Sequence, residues 1–452
     1  MRGLRVNLIL LVITVSLGTY IFFVERHRAP ASETPPNERL FSFEAEEISN
    51  LQITASDKSI TQLQQNENGE WSIIEPVQAV AEDPTVAAVA ESLTALEVQR
   101  VVEEGIDTKI PLAQFGLEEP SLDIGFSVNE STTRHLLVGD QTPTGSDLYA
   151  KLSDENRIFL ISSHLNNTFD KNTFALRDKT VLNFERENLD KIEITSDDQF
   201  VQLTKNSNDG WQLQEPWNAN ADDAAVNDLI TSLSTERFQA VVNENADNLD
   251  PYGLINPKMT VKLTAGSSTA TLDFGEDSET AGQFTRDLSR NFIFTTASSF
   301  TNTLNKQAVE YRRKKLFGFS PFSVSRLEIE KVDETFVFEK SEEDSEEFAW
   351  LQIMPSELEI EQAEMTQLLS NLSALEASSF VENRLDSNLN DMNLVATVRV
   401  HYGDPEKKEV VLFWKSENEA FGIPEGQPGA ARIDGKAFDE TIDALSKENP
   451  AN

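Results

Sequence analysis

The chain of 452 residues contains no cysteine. That absence removes disulfide scaffolds, thiolate metal sites, thiol nucleophiles and a lipidated N-terminal cysteine together. Histidine is scarce, with four residues, His27, His135, His164 and His401, none within metal-ligand spacing of another. Cations are few as well: 38 Lys and Arg stand against 77 Asp and Glu, a formal net charge of −39. Binding to nucleic acid depends on Lys and Arg releasing the counterions condensed on phosphates, so no nucleic-acid partner is expected. What is present is close to a globular average, 39% hydrophobic and 25% charged residues, so the acidity reads as a solvated surface and not as disorder. The length is enough for about three ordinary domains.

Long apolar runs are also missing, with one exception. Val6 to Val24 is nineteen residues without a charge. At about 1.5 Å per helical residue it is long enough to cross a hydrocarbon core of roughly 30 Å. Arg2 and Arg5 precede it, while Glu25 offsets part of Arg26 and Arg28 after it, which places the N-terminus in the cytoplasm. A cleaved signal peptide is the competing reading, but Ala29 and Ala31 follow a charged stretch. Residues 1–28 therefore read as a cytoplasmic tip and anchor, and 29–42 as a tether, with three prolines in Ala29 to Asn37.

The body repeats. Trp71, Trp211 and Trp350 recur at near-equal spacing, each in a strand pattern and each shortly before a proline, as Glu75-Pro76, Glu215-Pro216 and Met354-Pro355. Ahead of each lies an alternating strand, Leu51-Gln52-Ile53, Ile192-Glu193-Ile194 and Leu327-Glu328-Ile329. After the proline the apolar period changes to 3.6, with stripes Val86, Val89, Ala90 and Leu93, then Val226, Leu229, Ile230 and Leu233, then Met365, Leu368, Leu369 and Leu372. Asp83-Pro84 offers the first helix an N-cap acceptor and a proline for its first turn; the third helix is expected to start near Pro355-Ser356. Phe115-Gly116-Leu117 and Tyr252-Gly253-Leu254, each with a proline three residues on, occur in two copies only, as do the closing Leu176-Arg177-Asp178-Lys179 and Tyr311-Arg312-Arg313-Lys314. The expected fold class is α+β: three tandem repeats, at 43–184, 185–319 and 320–452 (degenerate), each a mainly antiparallel sheet plus helix, behind one N-terminal transmembrane helix.

This set of motifs, behind an N-terminal membrane helix, resembles the family called domain of unknown function 4340 (DUF4340) over nearly the whole body, twice strongly and once in degenerate form. The resemblance implies a bacterial envelope protein, single-pass in the cytoplasmic (inner) membrane with its bulk periplasmic or extracytoplasmic. It also implies genes that accompany an ABC transporter with a gliding-motility-type auxiliary subunit. The expected partners are accordingly the cytoplasmic membrane, through one helix, and an ABC permease with its auxiliary subunit. The family brings no catalytic or ligand residues to carry over.

The residues themselves assign no catalytic, cofactor-binding or metal site, and no cofactor or enzymatic activity is expected. Gly429 to Lys436 departs from a phosphate loop in glycine spacing and at Ala437, where Ser or Thr is needed. Asp386 to Asp391 opens like a calcium loop but lacks the turn glycine and ends on Thr397 in place of glutamate. Gly318-Phe319-Ser320 continues into Pro321-Phe322 and so makes no nucleophile elbow. The acidic run Glu342 to Glu347 reads as a solvated hairpin tip. Arg312 to Lys315, the one dense basic cluster of the body, is either a repeat-exit feature or a contact for anionic headgroups or an acidic partner. Trp71, Trp211 and Trp350 read as core anchors, leaving Trp217 and Trp414, which lack equivalents, as surface-site candidates. The expected function is a non-catalytic accessory or binding component of a transport system; the alternative is an envelope scaffold or adhesion-like protein recognising glycan or another surface protein. An anchored hydrolase is the third class, and it requires a pocket of convergent acids.

Overall fold

A computed structural model of the chain describes residues 38–104, 112–129, 131–206, 210–279, 282–340, 350–382, 392–416 and 419–444. The apolar segment Val6 to Val24, His27, the acidic run Glu342 to Glu347 and the calcium-like segment Asp386 to Asp391 lie outside the described residues. No helix among the described residues is long and apolar enough to cross a membrane.

Three nine-stranded sheets with one strand order dominate, accompanied by a small two-stranded sheet. In the first repeat, Ile48–Thr54, Ile60–Gln65, Trp71–Glu75 and Ala79–Val80 meander from the middle of the sheet to one edge. The helix Asp83–Thr94 then crosses, and Arg100–Glu104 lands at the opposite edge. Leu122–Val128 pairs with Ile48–Thr54, and Arg134–Gln141, Asp147–Leu152 and Arg157–Ser162 step outward until the last meets Arg100–Glu104. Every pairing is antiparallel. The second repeat follows the same order from Leu189–Ser196 and the third from Val324–Glu330.

Alternation decides what is buried. In the first repeat Leu51, Ile53, Leu63, Trp71 and Ile73 point inward and meet the helix stripe Val86, Val89, Ala90 and Leu93 in one core. The helices Asp223–Thr235 and Gln362–Ser373 bury the corresponding stripes. Each Val, Leu, Ile or Met of these stripes contributes about 1.5–3 kcal/mol on burial, so the stripes, more than helix propensity, hold the helices in place.

Four expectations are corrected. The third helix begins at Gln362, because Leu358–Ile360 first completes the sheet edge. Residues 38–42, expected as part of the tether, belong to the folded body: Glu38–Arg39 pairs with Glu97–Val98, the Leu40 N–H donates to the Leu96 carbonyl at 2.8 Å, and Phe41 is buried with its ring 5.1 Å from that of Phe126. The same pairing opens the later repeats as bridges Thr180 to Arg237 and Lys315 to Glu376, so starts at 43, 185 and 320 fall a few residues late. Finally, Asp83 does not cap its helix. Glu82 holds the cap position, and Asp83 Oδ1 instead accepts the Trp71 N–H at 3.2 Å. Asp223 accepts the Trp211 N–H in the same way at 3.0 Å, while Asp222 caps the second helix through the N–H groups of Ala224 and Ala225.

The two paired glycine motifs explain each other. Gly116 and Gly253 both adopt φ of +66°, which favours glycine. A Cβ on Gly139 would lie 2.1 Å from the Phe115 carbonyl oxygen, and one on Gly275 would lie 2.0 Å from that of Tyr252. The aromatic-Gly-Leu turn thus packs backbone to backbone against Val138-Gly139-Asp140 or Phe274-Gly275-Glu276.

The chain forms two compact units, one ending at Lys179 and holding the first repeat, the other beginning at Thr180 and holding the second and third.

Candidate functional site

Within the second unit, the edge of the second sheet and strands of the third enclose a cleft of about 840 Å³. One wall is the hairpin made by Gly210–Glu215 and Ala219–Asn220, where Gln212 pairs with Asn220 and Leu213 with Ala219. Trp211, Leu213 and Ala219 are buried, while alternation turns the paired Gln212 and Asn220 to the outer face; Gln214, at a bulge in its strand, and Asn218, just before the short strand, lie beside them. All four of these amide residues line the cleft. Gln212 Nε2 donates to Asn220 Oδ1 at 3.0 Å, which orients the cross-strand pair.

The opposite wall comes from the third repeat: Tyr402, Lys407, Lys408, Glu409, Glu425 and Gln427. Polar contacts join the walls at the base, and Gly318 of the third repeat steadies the Glu409 carboxylate. Gln427 Oε1 accepts the Asn220 N–H at 2.8 Å. Glu409 accepts the Gly318 N–H at 2.7 Å with one oxygen and meets Arg313 Nη2 at 3.4 Å with the other. Charge balances locally: Arg313, Lys407 and Lys408 face Asp223, Glu409 and Glu425. In a chain of net charge −39 this neutral cleft differs from the surface around it.

The basic cluster beside the cleft is a repeat junction. The Asp222 N–H donates to the Tyr311 carbonyl and the Arg313 N–H to that of Asn220, while the Lys314 carbonyl accepts the Ala377 N–H and the Leu316 N–H reaches Leu375. Arg312 is only 4% exposed. Its guanidinium sits 4.0 Å above the Phe380 ring and donates to the Pro428 carbonyl, a stack that the flat guanidinium makes and an ammonium does not. Burial lowers its pKa to about 10 and pushes the adjacent Tyr311 phenol upward, since both environments disfavour the charged form. A cation held this way is withdrawn from any headgroup; Lys314 and Lys315 remain exposed.

The other residues singled out in the sequence do not converge. His135 Nδ1 meets Asp123 Oδ1 at 2.8 Å, His164 Nδ1 meets the Ser162 hydroxyl at 2.7 Å, and His401 Nδ1 meets Glu406 Oε1 at 3.3 Å, in separate places. Among the described residues no three His, Asp or Glu side chains form a metal-binding group. Gly429 leads into the strand Ala430–Ile433, and a Cβ on it would lie 2.2 Å from the Val381 carbonyl oxygen, so it serves sheet packing. Trp71, Trp211 and Trp350 are buried, as core anchors must be. Trp414 is half-buried and packs against the cluster of Met392, Phe421, Ile423 and Ala430, with its Nε1 buried and unpartnered among the described residues. Trp217 is half-buried.

The amide face was missed by motif reading because isolated Asn and Gln carry no motif. The signal was in the repeat itself. At the matching positions the first copy has Ser72, Ile74, Gln78 and Val80, and the third has Leu351, Ile353, Glu357 and Glu359. Only the second copy has four amides.

A model of the family described as "Domain of unknown function (DUF4340)" matches residues 71–210 and again residues 211–395. Each match begins at a tryptophan strand, so the sequence-defined period is out of phase with the sheets, which begin earlier. No curated protein and no solved structure matches the chain.

Proposed function

The chain belongs to the DUF4340 family, and on that premise we propose that it is a membrane-tethered, non-catalytic binding component of a transport system, outside the cytoplasmic membrane. The observation that carries the binding role is the amide-faced cleft, open to solvent and joined at its base by polar contacts between two repeats, Asn220 to Gln427 and Arg313 to Glu409. The uncharged stretch Val6 to Val24 supports a tether, and the resemblance to envelope proteins that accompany ABC transporters supports the transport setting. The mechanism is physical: the anchor confines the repeats beside a permease and raises the local concentration of whatever they hold.

The test is affinity purification of the tagged full chain from gently solubilised membranes, with mass spectrometry of the co-purifying proteins. Near-stoichiometric recovery of an ABC permease and its auxiliary subunit is the expected result. Recovery of the protein alone, or with outer-envelope proteins only, sinks the transport reading in favour of a scaffold or adhesion-like role.

A further inference from the structure

We propose that the cleft of the second unit binds an uncharged saccharide, with Gln212, Gln214, Asn218 and Asn220 as its reading face. This rests on the binding role above and adds the ligand class.

The first argument is chemical. A side-chain amide both donates and accepts, as a sugar hydroxyl does, whereas carboxylates only accept and ammonium groups only donate. Four such groups beside one another on one hairpin, Gln212 and Asn220 as a cross-strand pair with Gln214 and Asn218 next to them, suit a ligand that presents several hydroxyls. The cross-strand pair is oriented by the Gln212 to Asn220 bond, while the side chains of Gln214 and Asn218 have no hydrogen bond among the described residues and are available to a ligand.

The second argument is electrostatic. Three cations and three carboxylates line the cleft, and Arg313 is already paired with Glu409. An anion meets no surplus of positive charge here, and a cation finds stronger acidic surface elsewhere on the chain. The neutral cleft therefore favours an uncharged ligand.

The third argument is the comparison between copies. All three hairpins bury the same tryptophan, but their outer faces differ, and only the face lining a cleft of this size carries four amides. Packing alone would accept Ile and Val there, as the first copy does at Ile74 and Val80.

The experiment is isothermal titration of the full chain, kept in a non-glycosidic detergent so that no detergent sugar competes, with maltohexaose, chitohexaose and, as the anionic counterpart, hexagalacturonate. Saturable binding of a neutral hexasaccharide is expected. The double variant Gln214→Ile with Asn218→Gln, which copies the first repeat at these two positions, should weaken it about tenfold or more, the loss of one to two hydrogen bonds. Ile74→Gln in the first repeat should leave binding unchanged, and circular dichroism should show both variants folded. No saturable binding of either neutral hexasaccharide overturns the assignment, as does preference for hexagalacturonate or full binding by the double variant. The purification experiment reads the transport role separately, so a chain that recovers its permease but binds no neutral sugar loses only the saccharide assignment.

Discussion

The hairpins around Trp71 and Trp211 are the same object seen from the core and different objects seen from solvent. Both bury the indole to 5% exposure, both hold its backbone N–H on an aspartate twelve residues on, and both turn at a cis Glu-Pro bond. On the outer face, Ser72, Ile74, Gln78 and Val80 contrast with Gln212, Gln214, Asn218 and Asn220, and Val80 is 66% exposed. The inward residues answer to close packing, which tolerates little change. The outward residues answer only to what they meet, and in the second repeat that is a cleft. The third repeat separates the two sides further: it keeps Trp350 but has Gln362 where the aspartate stands in the others.

The largest test of this comparison acts on its shared side. Trp71→Ala and Trp211→Ala should each destabilise their own unit by about 3–5 kcal/mol, measured by urea unfolding with hydrogen exchange to separate the units. A gap between them of more than about 2 kcal/mol would show that the buried faces are not equivalent.

Next in size is the junction. Arg312→Leu removes the donor to the Pro428 carbonyl and the cover over Phe380, and should cost about 1–3 kcal/mol. Faster amide exchange in Ala377–Val381 and Ala430–Ile433 would report it. Arg312→Lys should not restore the loss, because the stack needs a planar cation. Full rescue by lysine would mean that charge alone matters at this position.

The smallest effect is in pH, and the two repeats should answer with opposite signs. In the first, the Arg134 guanidinium holds the Asp154 carboxyl below its ordinary 3.8. The stability it adds is present at neutral pH and lost as pH falls through 3.8 towards the lowered value. In the second, burial raises Asp273 above 3.8, with the Thr260 hydroxyl and Arg286 only partly opposing it. The folded state therefore takes up that proton more readily than the unfolded chain, and stability rises as pH falls through the raised value. Hydrogen exchange between pH 6 and 3, corrected for intrinsic rate, should show protection falling around Arg134–Gln141 relative to Met259–Ala265. Parallel losses in both would contradict the assignment.

Much of this was legible from residue order. The tryptophans, the helix stripes and the alternating strands are local patterns, and each appears where its period places it. The paired glycine motifs were visible, but not that they meet, because Gly116 and Gly139 approach only when Leu122–Val128 and Arg134–Gln141 fold back on each other. The repeat starts were read late because strands such as Glu38–Arg39 are too short to show alternation. Asp83 looked like a cap because its neighbours in sequence are helical, and its partner Trp71 lies on another strand.

By itself the sequence determined that the body is three copies of one antiparallel α+β unit, and which residues of each copy face the core, since burial is written in periods of two and 3.6. Only the tertiary structure decided that Arg312 is an interior group and that four scattered amides form one face of a cleft. Both depend on strands of the third repeat approaching the edge of the second, and such long-range contacts leave no periodic trace in either segment.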